Sequence, residues 1–471
     1  FSRHDGQAVT TDDFVAAMEQ ASGRNLKQFK LWYSQAGTPE IHVRAEHDPD
    51  QKTYTLFFRQ HTPPTPGQPS KQALLIPFAL ALLDKKGQEL PLTIQGEPTE
   101  TGPASPKSKL VEITKEQQSI TFLNIKEEPV PSLLRNFSAP VKLSFDFTDN
   151  MLAFLSQHDT DPFNRWEAGQ NLALKFLAIL VKEHQQDLPF TSPEKILTLF
   201  RSILADPDLD DAFKALSLTL PNEQYLAEQF NRIDVEAIHA AHLFLTQFLA
   251  QSLQDQWIRT YQARKNDQPN RDGQSIGRRS LKNLSLHYLS HLEEATCTAV
   301  IQEQFYGSQC MTDEISALIC LERKGGDLRE QGLEHFYNRW SNQPLIIDKW
   351  FTIQATSNHP EAFNQVQKLV AHPDFTLSNP NRVRSLLGAF SHSNLSGFHQ
   401  KEGQVYNFFA CIICDLDSRN PQLASRLAQA FSKWHKFDEQ RGDHMKAALE
   451  NILKKTDLSK DTYEIVEKSL S

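Results

Sequence analysis

The feature that most constrains this chain is a change of hydrophobic period. From about residue 38 to 147 apolar residues alternate with polar ones, and from about 148 to 471 they recur at helical spacing. Period two places side chains on alternate faces of a strand, whereas a period of about 3.6 gathers them on one face of a helix. The two stretches therefore cannot share one architecture.

In the first stretch Ile41-His42-Val43-Arg44 and Tyr54-Thr55-Leu56-Phe57-Phe58 alternate. Further strand candidates are Leu74–Leu83, Leu90–Ile94, Leu110–Ile113, Ile120–Leu123 and Val141–Phe147. Turn-rich runs separate them, at Thr62 to Gly67 and at Gly96 to Pro106. Short strands with turns between them predict a small antiparallel β-sandwich over 38–147. It carries no polar constellation, so the expected role is that of a spacer.

The second stretch predicts short amphipathic helices to the end of the chain. Several begin at an X-Pro step: Ser192-Pro193-Glu194, Asn379-Pro380-Asn381 and Asn420-Pro421-Gln422. Asn or Ser at the cap with Pro at the first helical position is a helix start signal. So many short helices in series predict a large all-α, superhelical (solenoid-like) domain over 148–471. No fixed sequence period is visible, so a regular repeat family is not expected.

Residues 1–37 also read as helical. Thr10 and Asp13 make a capping box, Phe14, Val15 and Met18 form an apolar face, and Gly23 stops the helix. A second helix is expected from Asn25 to Gly37, with Leu26, Phe29, Trp32 and Tyr33 at helical spacing. Two helices cannot bury a core, so the expectation is a chain entered in the middle of a domain. Phe14, Met18, Phe29 and Trp32 would then be exposed.

The formal charge is −9, which excludes a broad basic nucleic-acid footprint. Five cysteines, an odd number without framework spacing, fit a reducing compartment and a cytoplasmic protein. The longest apolar run, Ala73 to Leu83, contains Pro77 and is too short for a bilayer span, so no membrane partner is expected. Nothing at Phe1 reads as a signal peptide.

Chemistry is sparse in the motifs. A zincin H-E-x-x-H puts two ligands one turn apart with a glutamate base beside the first. The nearest approach is His287-Tyr288-Leu289-Ser290-His291, where Tyr288 replaces the base and Cys310 stands nineteen residues past His291 in place of a third ligand. These histidines flank the stripe Leu281, Leu284, Tyr288, Leu292, so a packing pair is expected, and His239 with His242 reads likewise. Cys411-Ile412-Ile413-Cys414 lies in an apolar run and predicts buried helix cysteines, not a redox turn. The basic stretch from Arg264 to Lys282 reads as a solvated loop entering a helix. No nucleophile–base pairing, P-loop or dinucleotide fingerprint occurs.

One geometry repeats. Asn379-Pro380 starts a helix with Arg384 about a turn in, and Asn420-Pro421 starts another with Gln422 and Arg426 close behind. Free N–H groups at a helix start and an arginine fork both favour a carboxylate. Were both starts to face one cavity, it would draw an anionic group such as a peptide C-terminus. The competing reading is two well-capped helices with solvated arginines.

Six blocks occur in a telling order. They are Phe1 through Trp32-Tyr33-Ser34-Gln35-Ala36-Gly37-Thr38-Pro39, Asp161-Pro162-Phe163-Asn164-Arg165-Trp166-Glu167-Ala168, Asp348-Lys349-Trp350-Phe351 with Gln354-Ala355, His372-Pro373, Asn379 to Leu386, and Ser418 to Arg426. Together they resemble the C-terminal half of the gluzincin zinc aminopeptidases, most of all the bacterial aminopeptidase N (alanyl aminopeptidase) branch. The resemblance covers essentially the whole chain. It implies the last helices of a thermolysin-like catalytic domain at 1–37, a β-sandwich at 38–147 and an α-superhelical C-terminal domain at 148–471.

The resemblance further implies a cytoplasmic, monomeric parent that removes N-terminal residues from peptides with one zinc ion. That zinc would polarise the scissile carbonyl and supply the attacking water. H-E-x-x-H, the third Glu ligand and G-A-M-E-N do not occur in these residues. No catalytic or metal residue is therefore assigned, no cofactor is expected in this part, and alone it is expected to be inactive. The implied partners are peptide substrates and the missing N-terminal half of the same chain. The superhelix would wall an internal chamber, and Arg384, Gln422 and Arg426 become candidates for the wall facing the peptide's C-terminal side. The alternative is a free-standing α-solenoid and β-sandwich scaffold that binds peptide or protein without catalysis.

Overall fold

The structure, a computed structural model, describes residues 3–97 and 106–471. Phe1, Ser2 and most of the expected turn from Gly96 to Pro106 lie outside the described residues. The chain divides into two compact units, Phe1–Leu172 and Ala173–Ser471.

The first unit begins with α1 (Thr11–Ser22), which has the expected capping box at Thr10 and a left-handed Gly23 at its end. Phe14 and Met18 are exposed, as expected. The second helix is much shorter than expected and is reduced to α2 (Leu31–Ser34). Three-residue turns precede it: Leu31 N donates to Gln28 O, Trp32 N to Phe29 O and Tyr33 N to Lys30 O. The reason is tertiary. Gln28 Nε2 donates to Thr114 O at 2.7 Å and Trp32 Nε1 to Leu75 O at 2.8 Å, so these side chains follow the sandwich and not a helix axis. Phe29 and Trp32 are accordingly half-buried instead of exposed.

Among the described residues seven strands follow: β1 (Glu40–Asp48), β2 (Thr53–His61), β3 (Ile76–Leu83), β4 (Ser108–Ile113), β5 (Gln117–Leu123), β6 (Val130–Leu133) and β7 (Lys142–Ser144). They form a sheet of order β5-β2-β1-β7 and a second of order β4-β3-β6. β1 and β2 pair antiparallel from Glu40 opposite His61 to Asp48 opposite Thr53, while β7 joins β1 in parallel. Tyr54, Leu56 and Phe58 of β2 and Phe78 and Leu80 of β3 are buried in the core between the sheets. Phe58 meets Phe78 edge-on at 5.2 Å, an arrangement that suits the ring quadrupoles.

Two strand expectations are corrected. Leu90–Ile94 makes only an isolated bridge, Ile94 to Phe122, with Glu89 just before it bridging Leu83, because Pro91 offers no N–H to a ladder. β6 was not expected, since Pro131 breaks its pattern. It lies at the edge of its sheet, where a missing donor is tolerated. The unit ends with α3 (Asp149–His158) and the first turns of α4 (Pro162–Gln185).

The second unit is helical. Its first helices are α5 (Glu194–Ala205), α6 (Asp211–Ser217), α7 (Glu223–Glu228), α8 (Val235–Ser252), α9 (Gln254–Gln262), α10 (Gly273–Leu289) and α11 (Ala295–Gly307). Then come α12 (Met311–Lys324), α13 (Gly326–Trp340), α14 (Pro344–Ala355), α15 (Ala362–Val370) and α16 (Pro380–Val383). A π turn at Arg384–Gly388 leads into α17 (Ala389–Ser393) and α18 (Leu395–Phe398). The last four are α19 (Gln404–Asp417), α20 (Pro421–Ala428), α21 (Glu439–Leu453) and α22 (Lys460–Leu470).

Each helix from α8 to α14 packs on its neighbour in sequence, and α8, α10, α12 and α14 also pack on one another in turn. This is a two-layer stack, with α9, α11 and α13 forming the second layer. Short loops make sequence neighbours antiparallel, so helices two apart run parallel. α14 then packs on α17, α17 on α18 and α18 back on α8, which closes the inner layer into a circuit. Trp257 of α9 stacks on Tyr288 of α10 at 4.3 Å and 8°, and the Tyr288 hydroxyl donates to Leu218 O at 2.8 Å. Among the described residues no helix is long and apolar enough to cross a membrane.

Candidate functional site

The two expected helix starts form, and their caps are occupied. Asn379 Oδ1 accepts from Asn381 N at 3.0 Å, ahead of a helix of only four residues. Asn420 Oδ1 accepts from Leu423 N at 3.1 Å. The capping side chains thus take donors that a bound anion would use. Arg384 opens the π turn, is exposed, and donates from Nη1 to Asn381 Oδ1 at 3.3 Å. Gln422 and Arg426 are exposed on α20 because Leu423, Ala424, Leu427 and Ala428 take its buried face. Among the described residues no hydrogen bond or ion pair joins Arg384 to Gln422 or Arg426.

The buried arginine of that block is a different one. Arg382 donates from Nε to Asp374 O at 2.9 Å and from Nη1 to Pro344 O at 2.8 Å, pairs with Asp348, and lies over the Phe351 ring. Two of the resemblance blocks, around Asp348 and around Asn379, are therefore held together by one guanidinium. A guanidinium engaged in this way at Nε and Nη1 fixes α14 against α16 and leaves Arg384 as the solvent-facing member.

The histidine pairs, separate in the sequence, come to one place. His242 on α8, His287 on α10, His291 just beyond α10 and Arg323 on α12 lie in one row of the inner layer. The His287 and His291 rings are 5.2 Å apart, and Arg323 Nη1 donates to His291 Nε2. Burial pushes His287 down to about 3 and His291 to about 2, with the Arg323 charge acting in the same direction. Burial also lowers His242. His239 differs: its Nδ1 lies 2.8 Å from Glu223, whose hydrogen bond raises its pKa against burial. A divalent cation does not fit this cluster, because the Arg323 guanidinium occupies His291 Nε2 and its charge opposes a second cation. The zinc implied by the resemblance is thus not suited to these residues.

Beside the row runs an open groove of about 580 Å³ between α6, α10 and α12, lined by Leu216, Leu284, His287, Ile319 and Cys320 among others. Nothing in the sequence marked Arg323. An Arg-Lys pair in the last turn of a helix reads as a complement to the helix dipole, and only the tertiary contact with His291 distinguishes it.

The CxxC lies within α19, as expected, but is not buried: Cys411 is exposed and Cys414 half-buried. The buried face is taken by Phe409, Ile412, Ile413 and Leu416, which leaves the cysteines toward its rim. Burial raises the Cys414 thiol, the opposite of an activated redox cysteine.

Comparison with known proteins adds the following. A family model described as a domain of unknown function (DUF3458_C) with ARM repeats matches residues 149–471, and one described as DUF3458, Ig-like fold, matches 37–146. The expectation of no regular repeat family is corrected by the first match: repetition lies in the stacking of unequal helices and not in a sequence period. The chain is 39% identical over 471 residues to Aminopeptidase N of Escherichia coli, covering 100% of this chain and 53% of that one. It is 36% identical over 469 residues to Aminopeptidase N of Haemophilus influenzae, again covering 53% of the relative. A solved structure of Legionella pneumophila aminopeptidase A in complex with aspartic acid superposes with a TM-score of 0.84 at 29% identity, covering 99% of this chain and 52% of that one. The chain spans about half the length of the curated relatives it matches.

Proposed function

The chain belongs to the family of the DUF3458_C helical domain, and from that premise we propose that it is the C-terminal portion of a zinc-dependent aminopeptidase. The observation that carries this reading is alignment along the whole chain with about half of each Aminopeptidase N relative. In this reading the Ig-like sandwich is a spacer and the closed helical unit walls the chamber that admits peptides. Residues 1–37 are the last helices of the catalytic domain. The zinc ion and the groups that activate water belong to the parent outside these 471 residues, and Arg384, Gln422 and Arg426 face the C-terminal side of the bound peptide. The parent acts on peptides in the cytoplasm as a monomer.

The test joins this chain in frame to the coding sequence that precedes it. The expected result is an upstream H-E-x-x-H with Glu nineteen residues past its second His, and a joined protein that releases alanine from alanyl-p-nitroanilide with one zinc per chain. The 471-residue chain alone releases none. A start codon directly before Phe1, or a joined protein without peptidase activity, overturns the reading and leaves the scaffold that binds peptide without catalysis.

A further inference from the structure

Outside the expected wall residues, the arginine that stands apart is Arg323 on α12. Arginine carries five N–H donors and no acceptor. Here Nη1 meets His291 Nε2, and among the described residues no carboxylate comes within ion-pair distance of the guanidinium. The neighbouring acids are committed elsewhere or lie in solvent. Glu322 takes Arg329 at 2.9 Å, and the Glu293 side chain is 96% exposed, 3.9 Å from Lys324 Nζ. Lys324 Nζ itself donates to Leu292 O. The Arg323 side chain reaches solvent, and yet enclosure by the surrounding protein holds its pKa below the ordinary guanidinium range. It sits in a recess, charged and unmatched.

Register places this charge at the end of the apolar groove. α10 and α12 run parallel: Asn283 bonds Asp313 at 2.9 Å, Cys320 Sγ faces Leu286 O at 3.7 Å, and Arg323 meets His291. His287 and Cys320 line the groove. Arg323 lies one turn further along α12, opposite His291, which follows directly on the end of α10. The groove presents Leu216 at 54% exposure and Ile319 at 40%, apolar surface left open beside an open cation.

We propose that this recess receives the C-terminal carboxylate of a peptide, with Arg323 holding the carboxylate and Leu216 and Ile319 holding the last apolar side chain. Because His291 Nε2 accepts from Arg323, its proton is on Nδ1, and the neutral ring orients the fork without adding charge. A carboxylate takes the remaining guanidinium donors two at a time, the geometry in which arginine exceeds lysine. The choice of a peptide rests on the aminopeptidase reading; the choice of a carboxylate next to an apolar side chain does not.

The test is calorimetric titration of the 471-residue chain with N-acetyl-Ala-Leu, with N-acetyl-Ala-Leu-amide and with acetate. The free acid is expected to bind at least tenfold tighter than the amide and than acetate. R323Q is expected to bring the acid down to the amide, R323K to fall between, and K468Q, at an exposed position of α22, to bind as the unsubstituted chain does. Equal binding of acid and amide, or acid binding unchanged in R323Q, overturns the proposal. Acetate binding as tightly as the dipeptide overturns the peptide assignment. Should R323Q lose its helical circular dichroism, R323K and L216D carry the test, each expected to weaken the acid at least threefold. No catalysis is read, so failure here leaves the aminopeptidase reading standing, and failure of the zinc and alanine assay leaves this titration to be judged alone.

Discussion

Arg441 Nη2 lies 2.5 Å from Glu236 Oε1 and joins residues 205 positions apart in the chain. The same guanidinium donates to Asp438 Oδ2 at 2.6 Å and to His399 O at 2.6 Å, with only 3% of its side chain exposed. Beside it Ile233 N donates to Lys436 O at 2.7 Å. These contacts fasten the start of α8 to the first turn of α21 and the segment just ahead of it, where the helical circuit closes. A buried guanidinium with every partner in place is stabilising mainly by what its removal would strand.

Arg441→Ala should therefore lower the stability of the helical unit by roughly 2–3 kcal/mol, since it removes charge-assisted bonds and leaves His399 O without its donor. Urea unfolding followed by circular dichroism measures this. A change under about 0.5 kcal/mol, the usual surface value, would show that the circuit is held by apolar packing alone.

Acid should loosen the same closure from two directions. Burial pushes the Glu236 and Asp438 carboxyls up, but the Arg441 hydrogen bond and charge outweigh it and hold both below the usual carboxylate range. Their contribution is present above the unfolded carboxylate pKa and is lost as pH falls through the lower folded value. Burial lowers His399 to about 3. Its contribution is complete above the unfolded pKa of about 6.5 and declines as pH falls from there toward 3. The slope for one such histidine is at most about 1.4 kcal/mol per pH unit. His399→Asn, which keeps an acceptor and donor near Tyr406, should flatten the unfolding midpoint between pH 6 and pH 4.

Gly277→Ala tests the contact that forms one side of the groove. A Cβ at position 277 would stand 2.8 Å from Ala212 N and 3.1 Å from Ala212 Cβ, so α6 must move off α10. The better helix propensity of alanine gains about 1 kcal/mol, whereas forced separation of packed backbones costs about 1–3 kcal/mol. The expected outcome is net destabilisation in a urea titration; a stabilised variant would mean that α6 is loosely held.

Thiol labelling should follow the tertiary structure and not the apolar run. Cys411 is exposed and should react first with iodoacetamide at pH 7.5. Cys320 is buried, with its thiol pushed up to about 11, and should react only after unfolding. Peptide mass spectrometry of partly labelled protein decides the order.

For the wall residues, Arg384→Gln and Arg426→Gln in the joined aminopeptidase should each raise KM for a tripeptide about tenfold, the loss of roughly 1.4 kcal/mol, with kcat little changed. Alanyl-p-nitroanilide, which lacks the C-terminal side of a peptide, should be unaffected. Equal effects on both substrates would remove these residues from the wall.

Local chemistry determined much of this protein directly from its sequence. The Thr10 capping box, the alternation through Tyr54, Leu56 and Phe58, and the starts at Asn379 and Asn420 depend on residues a few positions apart, so spacing suffices to find them. The order of sandwich and helices followed from the change of period. What needed tertiary structure involved distant partners. The second helix shrank because Gln28 and Trp32 bond to sandwich backbone. β6 exists because a sheet edge tolerates Pro131. Arg382 and Arg384 are two residues apart and equally basic, yet one holds Asp348 inside and the other faces water. His242, His287 and Arg323 each satisfy their own helix pattern, and no local rule states that three parallel helices bring them into one recess. Periodicity sets which face of a helix is apolar, while the stacking of whole helices decides which charges are left without a partner.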